Sequence, residues 1–128
     1  MRYLLDTHTF IWFATGDKDL PLKSIESIND ITNSCYLSTA SLWEITIKKQ
    51  IGKFTLDLSL HELYDSLSQN QIEIIHISRE HLIELSKLPF HHADPFDGLI
   101  IAQALASDLI IISKDKDFKK YKVNLQWK

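Results

Sequence analysis

Short, wholly apolar runs alternate along the chain with longer stretches in which apolar positions recur every three to four residues. The first is the signature of buried strands and the second of amphipathic helices. Strands are predicted over residues 3–5, 35–37, 72–77, 109–112 and 123–125. The 109–112 run is the most hydrophobic and reads as a central strand of a parallel sheet, buried on both faces. Between the strands, residues 9–14 suit a short helix closed by Gly16 and Asp17, and Pro21 opens a helix whose Ile25, Ile28 and Ile31 share a face. Ser38 or Thr39 caps a helix running to about Ile51, with Gly52 as its stop. Residues 58–67 form another amphipathic helix. Ser78 caps one containing Leu82, Ile83, Leu85 and Leu88, which Pro89 ends. A last long helix begins near Pro95 and carries Leu99, Ile100, Ala102, Ala104 and Leu105, and residues 116–120 suit a helical turn. Strand and helix signals alternate throughout, so the expected fold is an α/β/α sandwich on a mostly parallel central sheet.

Composition narrows the class without changing that picture. A chain of 128 residues, 45% hydrophobic and 24% charged, suits one globular domain spanning residues 1–128. Three glycines and three prolines leave little room for a linker. Asp6 and His8 break the apolar start, which argues against an export signal, and no apolar run approaches the ~18 residues of a membrane span. The single Cys35 has no internal disulfide partner and fits a reducing compartment, so a cytoplasmic location with no membrane association is expected.

Charge raises a tension instead of settling one. A net charge of −3 lacks the basic footprint of a nucleic-acid binder. A nucleic-acid substrate would therefore require metal to neutralise active-site acids and local lysines to hold the backbone. Lys48, Lys49, Lys53, Lys114, Lys116, Lys119, Lys120 and Lys122 are the candidates, against the plain alternative that each is simply solvated.

The candidate chemistry lies in the carboxylates. Asp6 and Asp115 fall at or just beyond the ends of the two strongest strands, Asp97 in the first turn of the helix after Pro95, and Glu44 about a turn into the helix after Ser38. Acids placed there converge on the crevice at the C-terminal ends of parallel strands, and such oxygen-rich sets suit Mg2+ or Mn2+. An unpaired Asp6 among Leu4, Leu5, Phe10 and Ile11 would be costly, so a role is expected of it. Glu44 can equally face solvent, Asp94 competes with Asp97, and Asp117 with Asp115, which is preferred because it stands nearer the strand end. Thr7 and Ser113 can orient a carboxylate or serve only as turn residues. His8, His91 and His92 show no zinc spacing, and His91 and His92 read as residues that order a connection. Trp12, Trp43 and Trp127 read as core or interface anchors. The 20–22 and 56–63 stretches, with Trp12, offer apolar surface for partners. Phosphate-loop, dinucleotide and serine-hydrolase motifs do not occur.

These segments, in order, resemble the PIN-domain family, close to the ribonuclease toxins of bacterial type II toxin–antitoxin pairs. Tyr3-Leu4-Leu5-Asp6-Thr7-His8 resembles the first acid's strand, and Ser41-Leu42-Trp43-Glu44-Ile45 the helix of the second. His92-Ala93-Asp94-Pro95-Phe96-Asp97 and the following helix resemble the third, and Ile111-Ile112-Ser113-Lys114-Asp115 with Asp117-Phe118 the fourth. Gly98 stands where many relatives carry a basic residue, and Ser113 where a Thr is frequent. The resemblance implies a metal-dependent endoribonuclease toxin, commonly a homodimer, silenced by a cognate antitoxin. In it Asp6, Glu44, Asp97 and Asp115 hold one or two Mg2+ or Mn2+ ions and Asp94 is an outer or occasional ligand. A phosphatase, a non-catalytic protein-binding module and a flap-type DNA nuclease are the alternatives.

Overall fold

The computed structural model describes residues 1–89 and 94–128, so the connection containing His91 and His92 lies outside the described residues. Five strands form one sheet in the order β3-β2-β1-β4-β5: β1 (Arg2–Leu5), β2 (Ser34–Ser38), β3 (Ile72–Ile75), β4 (Ile110–Ile112) and β5 (Asn124–Gln126). Every neighbouring pair is parallel. The helices are α1 (Thr7–Thr15), α2 (Leu22–Asn29), α3 (Thr39–Gln50), α4 (Leu60–Gln69), α5 (Arg79–Ser86) and α6 (Pro95–Ser107), with a 3-10 turn at Lys116–Lys120.

Successive strand residues point to opposite faces, and the two cores follow that alternation. Tyr3, Leu5, Cys35, Leu37 and Ile112 join Phe10, Ile28, Leu42, Ile45 and Leu63 from α1 to α4 on one face. Leu4 and Ile111 join Ile100, Ile101 and Ala104 of α6, with Phe118, on the other. This is the expected α/β/α sandwich. β1 occupies the middle of the sheet, and β4 is interior between β1 and β5.

Several boundaries differ from the apolar pattern for local reasons. Helix α2 stops at Asn29 because the Asp30 side chain accepts from the Thr32 amide and hydroxyl, at 2.9 and 2.7 Å, leaving Ile31 outside the core and exposed. Helix α4 starts at Leu60 instead of residue 58, because Ser59 and Glu62 form a reciprocal cap. Helix α5 ends at Ser86, before Pro89, and leaves Leu82 and Ile83 exposed. Of the apolar stretches expected to face partners, Leu20 and Leu63 are core, whereas Leu22 is exposed.

Because the helices run back against the strands, the N-termini of α1, α3 and α6 gather where the parallel strands end. That edge of the sheet carries most of the polar burial: Asp6, Thr7, Thr9, Ser38, Ser41, Glu44 and Ser113 are all buried. Among the described residues, no helix is long and apolar enough to cross a membrane.

Candidate functional site

The site is built from chain ends of secondary structure. Asp6 follows β1 and caps α1: its Oδ1 accepts from the Thr9 amide at 2.7 Å, and its Oδ2 from the Ser113 hydroxyl just beyond β4. Burial pushes its carboxyl up from the ordinary range, against those hydrogen bonds, which pull it down. Thr9 is itself fixed by its hydroxyl, which donates to the Ile112 carbonyl at 2.8 Å. The ends of β1 and β4 are thereby stitched together around Asp6.

Glu44 lies in the second turn of α3 and is only 4% exposed, so the reading in which it faces solvent does not apply. Its Oε1 accepts from the Thr7 hydroxyl at 2.7 Å, and its Oε2 is 2.6 Å from Lys48 Nζ one helical turn on. Thr7 also stands 2.9 Å from the buried Ser41 hydroxyl. An ammonium thus neutralises a carboxylate that burial alone would disfavour. The Lys48 side chain is held in place over the Phe54 ring, 5.3 Å from its centroid.

Asp94 and Asp97 sit at the N-terminus of α6. Asp94 caps the helix, its Oδ1 accepting from the Phe96 and Asp97 amides at 2.9 and 3.1 Å. Asp97 is partly buried and its carboxyl is pushed up to about 8, first by desolvation and then by the charges of Asp94, Glu44, Asp115 and Asp6. Those causes place the other four acids within electrostatic reach of Asp97. Asp115 caps the 3-10 turn through the Asp117 amide at 2.9 Å, and its own amide donates to Ser113 Oγ at 3.0 Å. Asp117 points elsewhere, to Lys120 at 3.2 Å.

Asp6, Glu44, Asp94, Asp97 and Asp115 line one cavity of about 570 Å³, together with Thr7, His8 and Lys48, while Asp117 does not. Among the described residues no three His, Cys, Asp or Glu groups stand close enough to form a ready-made ion cage. The acids surround the space, most of them tied back by the hydrogen bonds above. Their chemistry nevertheless fits a hard divalent cation: the donors are carboxylate oxygens, and a positive charge among them would offset the desolvation and repulsion that raise the Asp97 carboxyl.

Of the eight candidate lysines, Lys48, Lys114 and Lys116 reach the cavity. Lys49 instead donates to the Leu56 and Leu58 carbonyls, at 3.0 and 2.8 Å, and fastens the chain after α3. Trp43 is half exposed and packs edge-on against Phe96. Trp12 and Trp127 both stand half-buried in the cavity wall, and Trp127 also packs against the core. That placement was not legible locally, because Trp127 reaches the cavity only through the pairing of β5 with β4.

A five-stranded parallel sheet with acids around a crevice at its C-terminal edge defines a class, the open α/β domains whose ligands lie outside the strand ends. The PIN domain family profile matches residues 3–124, and the chain belongs to that family. Membership implies a nuclease-like, metal-dependent function. Among solved structures, VapBC2 from Rickettsia felis, bound to a DNA fragment from its promoter, is similar at 19% identity, with 98% of each chain covered and a TM-score of 0.75. DNA-bound VapBC from Salmonella typhimurium is similar at 14% identity, covering 98% of this chain and 97% of that one, with a TM-score of 0.70. A toxin–antitoxin complex from Klebsiella pneumoniae follows at 19% identity, 94% and 92% coverage and a TM-score of 0.62. At these identities the likeness is one of fold. No curated protein matches the chain.

Proposed function

We propose that residues 1–128 form a single PIN nuclease domain that hydrolyses RNA phosphodiester bonds, as the toxin of a toxin–antitoxin pair. The observation that carries this reading is the gathering of Asp6, Glu44, Asp94, Asp97 and Asp115, from four separate regions of the chain, around one cavity at the C-terminal edge of the sheet. Asp6, Glu44, Asp97 and Asp115 are the residues that would hold Mg2+ or Mn2+, with Asp94 outside them. A divalent cation held there supplies charge stabilisation at the phosphoryl oxygens and activation of the attacking water.

The chain's own groups do the rest. Ser113 and Thr9 fix the Asp6 carboxylate, and Thr7 fixes that of Glu44. Lys48 neutralises Glu44 and presents a cation to the cavity, where a phosphate can meet it. Without the cation the Asp97 carboxyl is pushed up to about 8, first by desolvation and then by its acidic neighbours, and a cation held there would favour its ionised form.

The toxin role is supported by the family together with the Klebsiella pneumoniae toxin–antitoxin complex of the same fold. A cognate antitoxin and a second copy of the chain are the partners this reading implies, in the cytoplasm. The test is a panel of RNAs and a small phosphomonoester incubated with purified protein in Mg2+, Mn2+, Ca2+ or EDTA, beside Asp6→Asn. RNA cleavage that needs Mg2+ or Mn2+ and fails in the variant supports the reading. Turnover of the phosphomonoester alone, or metal-independent cleavage, overturns it.

A further inference from the structure

The carboxylate cavity has a second wall of opposite chemistry. Trp12 and Trp127 form it, with ring centroids 5.8 Å apart and planes tilted by 55°. Lys114 Nζ stands 5.6 Å from the Trp12 ring centroid. Beyond Trp127 the surface continues into a groove of about 300 Å³ lined by Lys114, Lys116, Lys119, Lys128, Leu125 and Trp127. Lys114, Lys116 and Trp127 line both spaces, so the two adjoin.

The groove is firmly built and strongly charged. The Trp127 carbonyl accepts from the Ser24 hydroxyl, and the neighbouring Gln126 side chain bonds to Ser27 and Tyr3, at 2.9 and 3.3 Å. Among the described residues the ion pairs are Lys48–Glu44 and Lys120–Asp117, so none of the four groove lysines is engaged in one. A chain with a net charge of −3 thus concentrates unspent positive charge beside its acidic crevice.

We propose that this groove is a binding track for single-stranded nucleic acid, leading to the carboxylate cluster. A base of the strand stacks against the Trp12–Trp127 wall, and the adjoining phosphates lie along Lys114, Lys116, Lys119 and Lys128. The identity of the polymer rests on the ribonuclease reading above. Aromatic faces interleaved with cations match a strand whose rings and phosphates alternate. A duplex keeps its bases stacked and paired, with no free face to offer the tryptophans. An acidic peptide would use the lysines and leave the aromatic wall without a role.

The test measures binding apart from cleavage. Fluorescein-labelled single-stranded oligouridylate is titrated in EDTA and followed by anisotropy over a range of salt. Wild type is compared with Lys119→Gln/Lys128→Gln, Trp127→Leu and Trp127→Phe, each checked by thermal melting. The double lysine variant is expected to bind about tenfold more weakly at low salt and to lose about 1.4 from the log–log salt slope, at roughly 0.7 per phosphate contact. Trp127→Leu is expected to lose about tenfold and Trp127→Phe to retain most of the affinity. Unchanged affinity in the lysine variant, which alters only exposed side chains, overturns the proposal whether or not Trp127→Leu folds. Equal binding of the duplex, or tighter binding of polyglutamate, overturns it too. If wild type binds the strand through the groove yet cleaves no RNA with any metal, the cleavage reading fails and the track stands. Cleavage with groove-independent binding gives the reverse.

Discussion

Replacing Asp97 by Asn should stabilise the metal-free protein while removing its response to metal. The Asp97 carboxyl titrates at about 8 in the folded chain against an ordinary value of 3.8. The folded state therefore holds this proton more tightly than the unfolded state does. The stability it contributes is complete below about pH 4 and is lost as pH rises through 8. At pH 7 the unfolded carboxyl is ionised and stabilised by water, which at roughly 1.4 kcal/mol per pH unit favours unfolding by at most about 4 kcal/mol. Asp97 is only partly buried, so screening by solvent reduces this to about 2 kcal/mol. Asn keeps the shape of the protonated carboxyl and has no proton to release. Asp97→Asn should therefore melt about 5–10 °C above wild type at pH 7 in EDTA, and level with it near pH 4. Wild type should gain stability on addition of Mg2+ or Mn2+, and the variant little or none. Calorimetry across pH, with and without metal, reads both. A variant that melts at or below wild type at pH 7 would refute the reasoning, because burial and the neighbouring charges would then not be raising the Asp97 carboxyl.

Three further perturbations probe the supports of the site. Lys48→Met strips the 2.6 Å partner from buried Glu44 and should cost about 1–3 kcal/mol in urea unfolding, with the loss largely recovered in Lys48→Met/Glu44→Gln. Ser113→Ala removes the hydroxyl donor to Asp6 and the acceptor of the Asp115 amide, and should cost about 1–3 kcal/mol and weaken metal-induced stabilisation. Urea unfolding and metal titration measure the two effects, and Ser113→Thr should restore both. Gly98→Ala should raise stability by about 0.5–1 kcal/mol, because among the described residues a Cβ there meets only Leu85 Cδ1, at 3.2 Å, the movable end of a side chain. A fall in melting temperature would show that α5 cannot yield at that point.

The alternation of apolar runs carried the architecture. Tyr3, Leu4 and Leu5 could be read as a two-faced buried strand, and the structure divides them between the two cores as that pattern requires. The PIN resemblance rested on acids at strand ends and first turns, positions whose local sequence is visible. Helix limits at Asp30 and Ser59 were less legible, since side-chain hydrogen bonds overrode apolar spacing there. Asp117 competed with Asp115 in the sequence, where Asp115 was preferred only for standing nearer the strand end. Only the path of the 3-10 turn separates them, placing Asp115 on the cavity and Asp117 beside Lys120.

What the sequence determined by itself was the parallel α/β order, which follows from local periodicity, and a set of candidate acids, which follows from their places at strand ends and helix starts together with the family resemblance. The tertiary structure decided which groups share a space. Burial of Glu44 against Thr7, the rise of Asp97 beside Asp6, Glu44 and Asp115, and the meeting of Trp12 with Trp127 join residues far apart in the chain. Desolvation and charge repulsion act through space, so neither exists until strand pairing has brought those residues to one edge of the sheet.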